Sequence, residues 1–260
     1  MTTKIAVITG GGTGIGRQIS IELARIGVKI IVFGRTEATL IETITLIDKV
    51  GGDADYFIGD VGDIESVASF GAFIRMKYDH IDILVNNAGI DIAGPFTELS
   101  YEKWNRLLST NLTGPYLICK EFVPSMISRS KGIIINISSI LGIKGIANFS
   151  GYSATKSGIR GFSEALSDEL SSFGIKVYCI CPGRTSTDMQ LRLGGRRVAQ
   201  LSMHPQVVSK IVKSIVEGNR AFQTIIIINR RSIALFLYDW SLILKSMLRR
   251  LLNPFISLMI

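Results

Sequence analysis

The chain has 260 residues and a mass of 28.5 kDa, which fits one α/β domain with a substantial core better than two. A formal net charge of +8 with pI near 9.5 admits an anionic partner, such as a phosphorylated cofactor or an acidic membrane surface; with no zinc-knuckle or RNA-binding signature, nucleic acid is not expected. The three cysteines, Cys119, Cys179 and Cys181, are odd in number, which argues against a disulfide framework and for buried reduced thiols.

Met1-Thr2-Thr3-Lys4 leads directly into an apolar run and leaves no room for a secretory signal, so a cytoplasmic protein is expected. Strand-like runs then recur at Ile5–Thr9, Lys29–Phe33, Ala54–Ile58, Ile81–Asn86, Gly132–Ser138, Lys176–Cys181 and Thr224–Asn229. Helical patterns lie between most of them. Short, nearly continuous apolar strands alternating with amphipathic segments describe an α/β fold, a doubly wound parallel sheet with helices on both faces. Gly27 and Gly174 stand where helices should stop, Ser100 is placed to cap the helix entered by Tyr101, and Thr155 to Phe173 reads as one amphipathic helix carrying Lys156 near its start. No repeat or linker divides the chain. Residues 1–230 are expected to form one Rossmann-type nucleotide-binding domain with a substrate loop at about 185–205, and 231–260 an extension of it.

The first strand runs into Gly10-Gly11-Gly12-Thr13-Gly14-Ile15-Gly16. A glycine-rich turn that follows a strand and opens a helix is the setting in which backbone N–H groups hold a dinucleotide pyrophosphate. Far downstream, Tyr152 and Lys156 are four residues apart, so on a helix they share a face and the ammonium lies beside the phenol. Together the two features suggest hydride chemistry on a carbonyl or alcohol. At the end of the second strand, where an NAD site carries an acid for the ribose 2′-hydroxyl, this chain has Gly34 and then Arg35. A guanidinium there suits a 2′-phosphate and favours NADP(H) over NAD(H); a solvated loop cation is the alternative.

Three residues separate Gly10 from Gly14 and one separates Gly14 from Gly16, and with this spacing the chain resembles the short-chain dehydrogenase/reductases. The same order of motifs continues in Asp60-Val61, Asn86-Asn87-Ala88-Gly89, Asn111, Ser139 thirteen residues before Tyr152, and Pro182-Gly183 followed by Thr187. The resemblance spans roughly Lys4 to Thr187. It implies that Asp60 accepts a hydrogen bond from the adenine amino group with Val61 beside it, that Asn87, Ala88 and Gly89 pack on the cofactor side, and that Pro182, Gly183 and Thr187 reach the nicotinamide. It also implies a catalytic set of Asn111, Ser139, Tyr152 and Lys156. Tyr152 is the general acid or base, Ser139 donates to the substrate oxygen, Lys156 favours the phenolate and holds the nicotinamide ribose, and Asn111 positions a water. His80 and His204 stand in no cluster with ligand spacing, so no metal is expected.

The chain departs from the family at its end. After Arg230-Arg231 comes an apolar stretch, Ile233 to Leu252, with polar residues such as Asp239, Lys245, Arg249 and Arg250 near helical spacing. This predicts an atypical amphipathic C-terminal helix with a basic edge. It could pack within the subunit or a dimer, lie on an anionic membrane, or span a bilayer, the last disfavoured by Asp239 and Lys245. In the 185–205 loop, Arg192, Arg196 and Arg197 flank Gly194-Gly195. The expectation is therefore an NADP(H)-dependent oxidoreductase of small carbonyl or secondary alcohol substrates, forming a homodimer or homotetramer. A 3-oxoacyl-[acyl-carrier-protein] reductase is the enzymatic alternative, and a non-catalytic cofactor sensor or scaffold is the alternative of another class.

Overall fold

A computed structural model describes residues 3–186, 202–219 and, for the backbone alone, 224–227. Seven parallel strands form one sheet in the order β3-β2-β1-β4-β5-β6-β7. They are β1 (Ile5–Thr9), β2 (Lys29–Gly34), β3 (Ala54–Ile58), β4 (Ile83–Asn86), β5 (Gly132–Ile137), β6 (Ile175–Pro182) and β7 (Thr224–Ile227). The described helices are α1 (Gly14–Ala24), α2 (Glu37–Asp48), α3 (Ile64–Tyr78), α4 (Tyr101–Leu108), α5 (Gly114–Ser128), α6 (Ser150–Ser171) and α7 (Pro205–Val216). The strand order reverses between β1 and β4, and the crevice at their carboxyl ends is where ligands bind in open sheets of this kind.

Alternation along each strand sorts its side chains onto two cores. Ala6, Ile8, Ile30 and Val32 face the cluster beneath α1, α2 and α7. Val7, Ile31, Phe33 and Leu84 face the one that includes Phe70, Phe122 and Leu170 from α3, α5 and α6. Phe33 stacks on Phe70 with ring centroids 4.6 Å apart. All three cysteines are buried and free.

Gly27 and Gly174 do end helices, with φ of +79° and +70°, the left-handed conformation that glycine takes without penalty. Ser100 caps α4 by accepting from the Lys103 N–H. Several boundaries differ from expectation, most of them by a residue or two, and two of the differences have a readable cause. Strand β4 begins at Ile83, because the Asp82 side chain turns aside to accept from the Ile5 N–H and pair with Arg129. Helix α6 begins at Ser150, five residues before Thr155, which puts Tyr152 inside its first turn. The opening Ser-Gly-Tyr-Ser-Ala has no apolar stripe from which periodicity could be read. Among the described residues no helix is long and apolar enough to cross a membrane. The C-terminal segment 231–260 and most of the 185–205 loop, including Thr187, Arg192, Arg196 and Arg197, lie outside the described residues.

Candidate active site

The glycine turn is fixed from two sides. Gly10 has φ +63°, its N–H donates to the Phe33 carbonyl at 2.7 Å, and a Cβ there would come within 2.8 Å of the Ala88 Cα. A Cβ on Gly16 would lie 2.3 Å from the Gly10 carbonyl oxygen, so helix and strand approach as only glycine permits. The Asn87 amide donates to the Thr9 and Gly10 carbonyls at 3.0 and 3.1 Å. Thr9 Oγ1 in turn accepts from the Asn87 and Ala88 N–H groups. The Asn-Asn-Ala-Gly run is thus a clamp on the turn. Gly11 and Gly12 are held from outside by Thr43, whose hydroxyl reaches the Gly11 carbonyl at 3.1 Å, and by Arg17, whose Nε donates to the Gly12 carbonyl at 2.9 Å. Glu42 pairs with the same guanidinium at 2.7 Å. Ile15 packs into the core below α1.

Helix α1 begins with Thr13 as its N-cap, whose side chain makes no capping hydrogen bond to the first N–H groups. Uncapped amides behind a glycine turn at the sheet's switch point are the donors that a pyrophosphate needs, so these residues fit a dinucleotide. Val61 is buried and packs against Gly114, leaving Asp60 on the open side. Asp60 Oδ2 lies 3.6 Å from Arg35 Nη1, so two residues expected to meet the cofactor meet each other.

The chemistry-bearing side chains gather at the carboxyl ends of β4 and β5. Ser139, just past the end of β5, accepts from the Leu141 N–H, and its hydroxyl favours the ionised form of the nearby Tyr152 phenol. Its neighbour Ser138 is buried and donates to the Lys156 carbonyl at 2.7 Å, which ties α6 to the end of β5. Lys156 is 5% exposed; its Nζ donates to the Ile137 carbonyl at 2.9 Å and stands 5.7 Å from the Tyr152 ring centroid. Asn111 sits in a single π-turn, Ser109–Thr113, between α4 and α5. Its amide exchanges two hydrogen bonds with the Ile90 backbone, both 2.8 Å, and donates to Thr155 Oγ1. A Cβ on Gly89 would lie 3.3 Å from Asn111 Oδ1 and 3.5 Å from Lys156 Nζ, so all three border one space. Pro182 and Gly183 are buried at the end of β6.

Burial dominates the electrostatics of both groups. Burial pushes Tyr152 up to about 12, with the Asp91 charge adding to the rise and the Ser139 hydroxyl opposing it. Burial pushes Lys156 down to about 8. The Lys156 ammonium donates to the Ile137 carbonyl and lies over the ring of Tyr152. His204 caps α7 by accepting from the Gln206 N–H, His80 pairs with Asp79 and Asp82, and among the described residues no cluster suited to a metal occurs. Sequence reasoning missed Thr9, Arg17 and Thr43. For Thr43, the one signal was a polar residue where α2 turns its buried side to the sheet.

The family profile described as short chain dehydrogenase matches residues 4–196. A 3-oxoacyl-[acyl-carrier-protein] reductase of Chlamydia trachomatis is 37% identical over 190 residues, 73% of this chain and 77% of the relative. A ketoacyl reductase of Nostoc is 31% identical over 221 residues, 83% and 76% of the two chains. Among solved structures, a metagenomic short-chain oxidoreductase in complex with NADP superposes with a TM-score of 0.75 at 27% identity, covering 86% of this chain and 96% of its own. An actinorhodin polyketide ketoreductase variant with NADPH gives 0.80 at 29% identity, covering 86% and 95%. Fold and site thus define a nicotinamide-dependent oxidoreductase that acts on CH–OH or ketone groups. The chain belongs to the short-chain dehydrogenase/reductase family.

Proposed function

We propose that this enzyme reduces a small-molecule carbonyl to the alcohol with NADP(H) in preference to NAD(H), using Tyr152 as the proton donor. The observation that carries this reading is the meeting of Tyr152 with the buried Lys156, whose Nζ lies 5.7 Å from the Tyr152 ring centroid, at the end of the strand that leads into Ser139. When bound, the nicotinamide supplies the hydride, or accepts it in the reverse direction. The Gly10–Gly16 turn would hold the cofactor's pyrophosphate, Arg35 its 2′-phosphate, Asp60 and Val61 its adenine, Asn87, Ala88 and Gly89 the floor beneath it, and Pro182, Gly183 and Thr187 the nicotinamide end.

Negative charge develops on the substrate oxygen as its carbon is reduced. Ser139 donates a hydrogen bond to that oxygen, and Tyr152 transfers its phenolic proton to it. A phenol pushed up to about 12 stays protonated near neutrality, as a proton donor must. Lys156, at the inner side of the same helix, is the cation available to the phenolate once the proton has left. Asn111 would position a water beside Lys156 at the border of Gly89.

A second reading has its own support, since the curated relatives include 3-oxoacyl-[acyl-carrier-protein] reductases; turnover of a 3-oxoacyl thioester would establish it over a simple ketone. The proposal extends to a homo-oligomer in which the C-terminal segment 231–260 either packs or lies on an anionic membrane. Co-sedimentation with anionic vesicles separates the two.

Titration of nicotinamide fluorescence tests the cofactor assignment. Tight NADPH and weak NADH are expected, with Arg35→Ala weakening NADPH far more than NADH. Equal losses would remove Arg35 from the phosphate site, and binding of neither cofactor would favour a non-enzymatic role.

A further inference from the structure

Strands β2 and β3 pair in the register Gly34 with Ile58, so the chain leaves them with Arg35 and Asp60 side by side. Asp60 is set before any ligand arrives. Its N–H donates to Ser66 Oγ and its Oδ1 accepts from the Gly62 N–H, both at 2.9 Å. That leaves Oδ2, which faces Arg35 Nη1 at 3.6 Å, beyond a good hydrogen bond but well within Coulombic reach. Glu37, the acid nearest in sequence to Arg35, is engaged by the Tyr56 hydroxyl at 3.0 Å. Among the described residues, Asp60 is therefore the carboxylate that pairs with Arg35.

We infer that Asp60 sets the breadth of cofactor choice by competing with the 2′-phosphate for Arg35, an inference that rests on the cofactor site proposed above. A bound 2′-phosphate must share the guanidinium with a carboxylate whose other oxygen is held by the Gly62 N–H, and it lies in that carboxylate's field. An unphosphorylated ribose meets an Arg35 already neutralised by Asp60, so NADH leaves no unpaired cation behind. The Arg35 and Asp60 side chains are 56% and 41% exposed, which makes the competition modest and sensitive to salt. The chain thus tolerates both cofactors more evenly than Arg35 alone would dictate.

The test is the ratio of NADH to NADPH dissociation constants in wild type and in Asp60→Asn, which keeps an acceptor for the Gly62 N–H and removes the charge. Because the adenine contact of Asp60 is common to both nucleotides, the readout is the ratio: NADPH should tighten relative to NADH by about three- to tenfold at low salt, and this relative gain should shrink at about 0.5 M salt. In an Arg35→Ala background the gain should be smaller. Asp60→Ser serves as a second neutral variant. An unchanged or reduced NADPH preference in both variants overturns the competition while leaving the cofactor site intact. A wild-type protein that binds neither nucleotide overturns the site itself.

Discussion

The glycine turn and the Tyr152–Lys156 region, on either side of the β1–β4 switch point, are prepared to different degrees. Around the turn, Asn87, Arg17 and Thr43 bind its carbonyls from outside while Thr9 Oγ1 anchors the Asn87 and Ala88 N–H groups, and the uncapped donors are those that a pyrophosphate would use. Around Tyr152 the groups are near one another but not yet aligned. Lys156 spends its ammonium on the Ile137 carbonyl, and Tyr152 has a phenol made less acidic by burial. One half is complete as folded; the other holds a buried cation with a single hydrogen-bond acceptor. This difference predicts that substitutions in the first half act through shape, whereas those in the second act through charge and proton transfer.

The largest effect should come from Tyr152→Phe. The ring is kept and only the transferable proton is lost, so turnover should fall by about 10² to 10⁴-fold while NADPH affinity stays within a few-fold. Steady-state kinetics with a ketone substrate, alongside fluorescence titration, separates the two quantities. Retained turnover would remove Tyr152 from the proton-donor role.

Gly16→Ala probes the other half. Its Cβ would stand 2.3 Å from the Gly10 oxygen, a backbone atom held by Asn87, so the turn itself must shift. A loss of about 1–3 kcal/mol in stability is expected, with cofactor binding impaired even where the protein stays folded. Gly161→Ala is the control, because a Cβ at this helical position meets nothing within 4 Å. It should be neutral or stabilising by up to about 1 kcal/mol. Equal behaviour of the two variants in denaturation and NADPH titration would show that the turn has slack.

The same contrast governs what the sequence made readable. Gly10, Gly14 and Gly16 could be read because backbone geometry restricts the residue type, and the order of Asn87, Ser139, Tyr152 and Lys156 could be read by resemblance. The sheet followed from continuous apolar runs such as Ile30 to Phe33. What stayed hidden depends on partners distant in sequence. The grip of Thr43 on Gly11 spans more than thirty residues, and the pairing of Arg35 with Asp60 depends on the register of β2 against β3. The π-turn at Asn111 was hidden for another reason. An extra residue in one helical turn leaves no mark on apolar periodicity, yet it lets the Asn111 amide face Ile90 and Thr155.

Lys156→Met should have a smaller effect on the folded molecule than Gly16→Ala, and with the opposite sign. Burial holds the ammonium down to about 8, against 10.5 for the free side chain. Between those values the unfolded chain binds more protons than the folded one, so wild-type stability rises with pH across that window and is lowest below it. The shift corresponds to about 3 kcal/mol at neutral pH; the Ile137 carbonyl left without its donor gives back part of it. The Met variant should therefore be more stable than wild type by about 1–2 kcal/mol at pH 7. The advantage should shrink towards pH 9.5, below the range in which Tyr152 titrates, while turnover is lost. Chemical denaturation at the two pH values reads this directly. A variant less stable than wild type at pH 7 would mean that the cation is supported by more than Ile137, and that the catalytic half is as settled as the glycine turn.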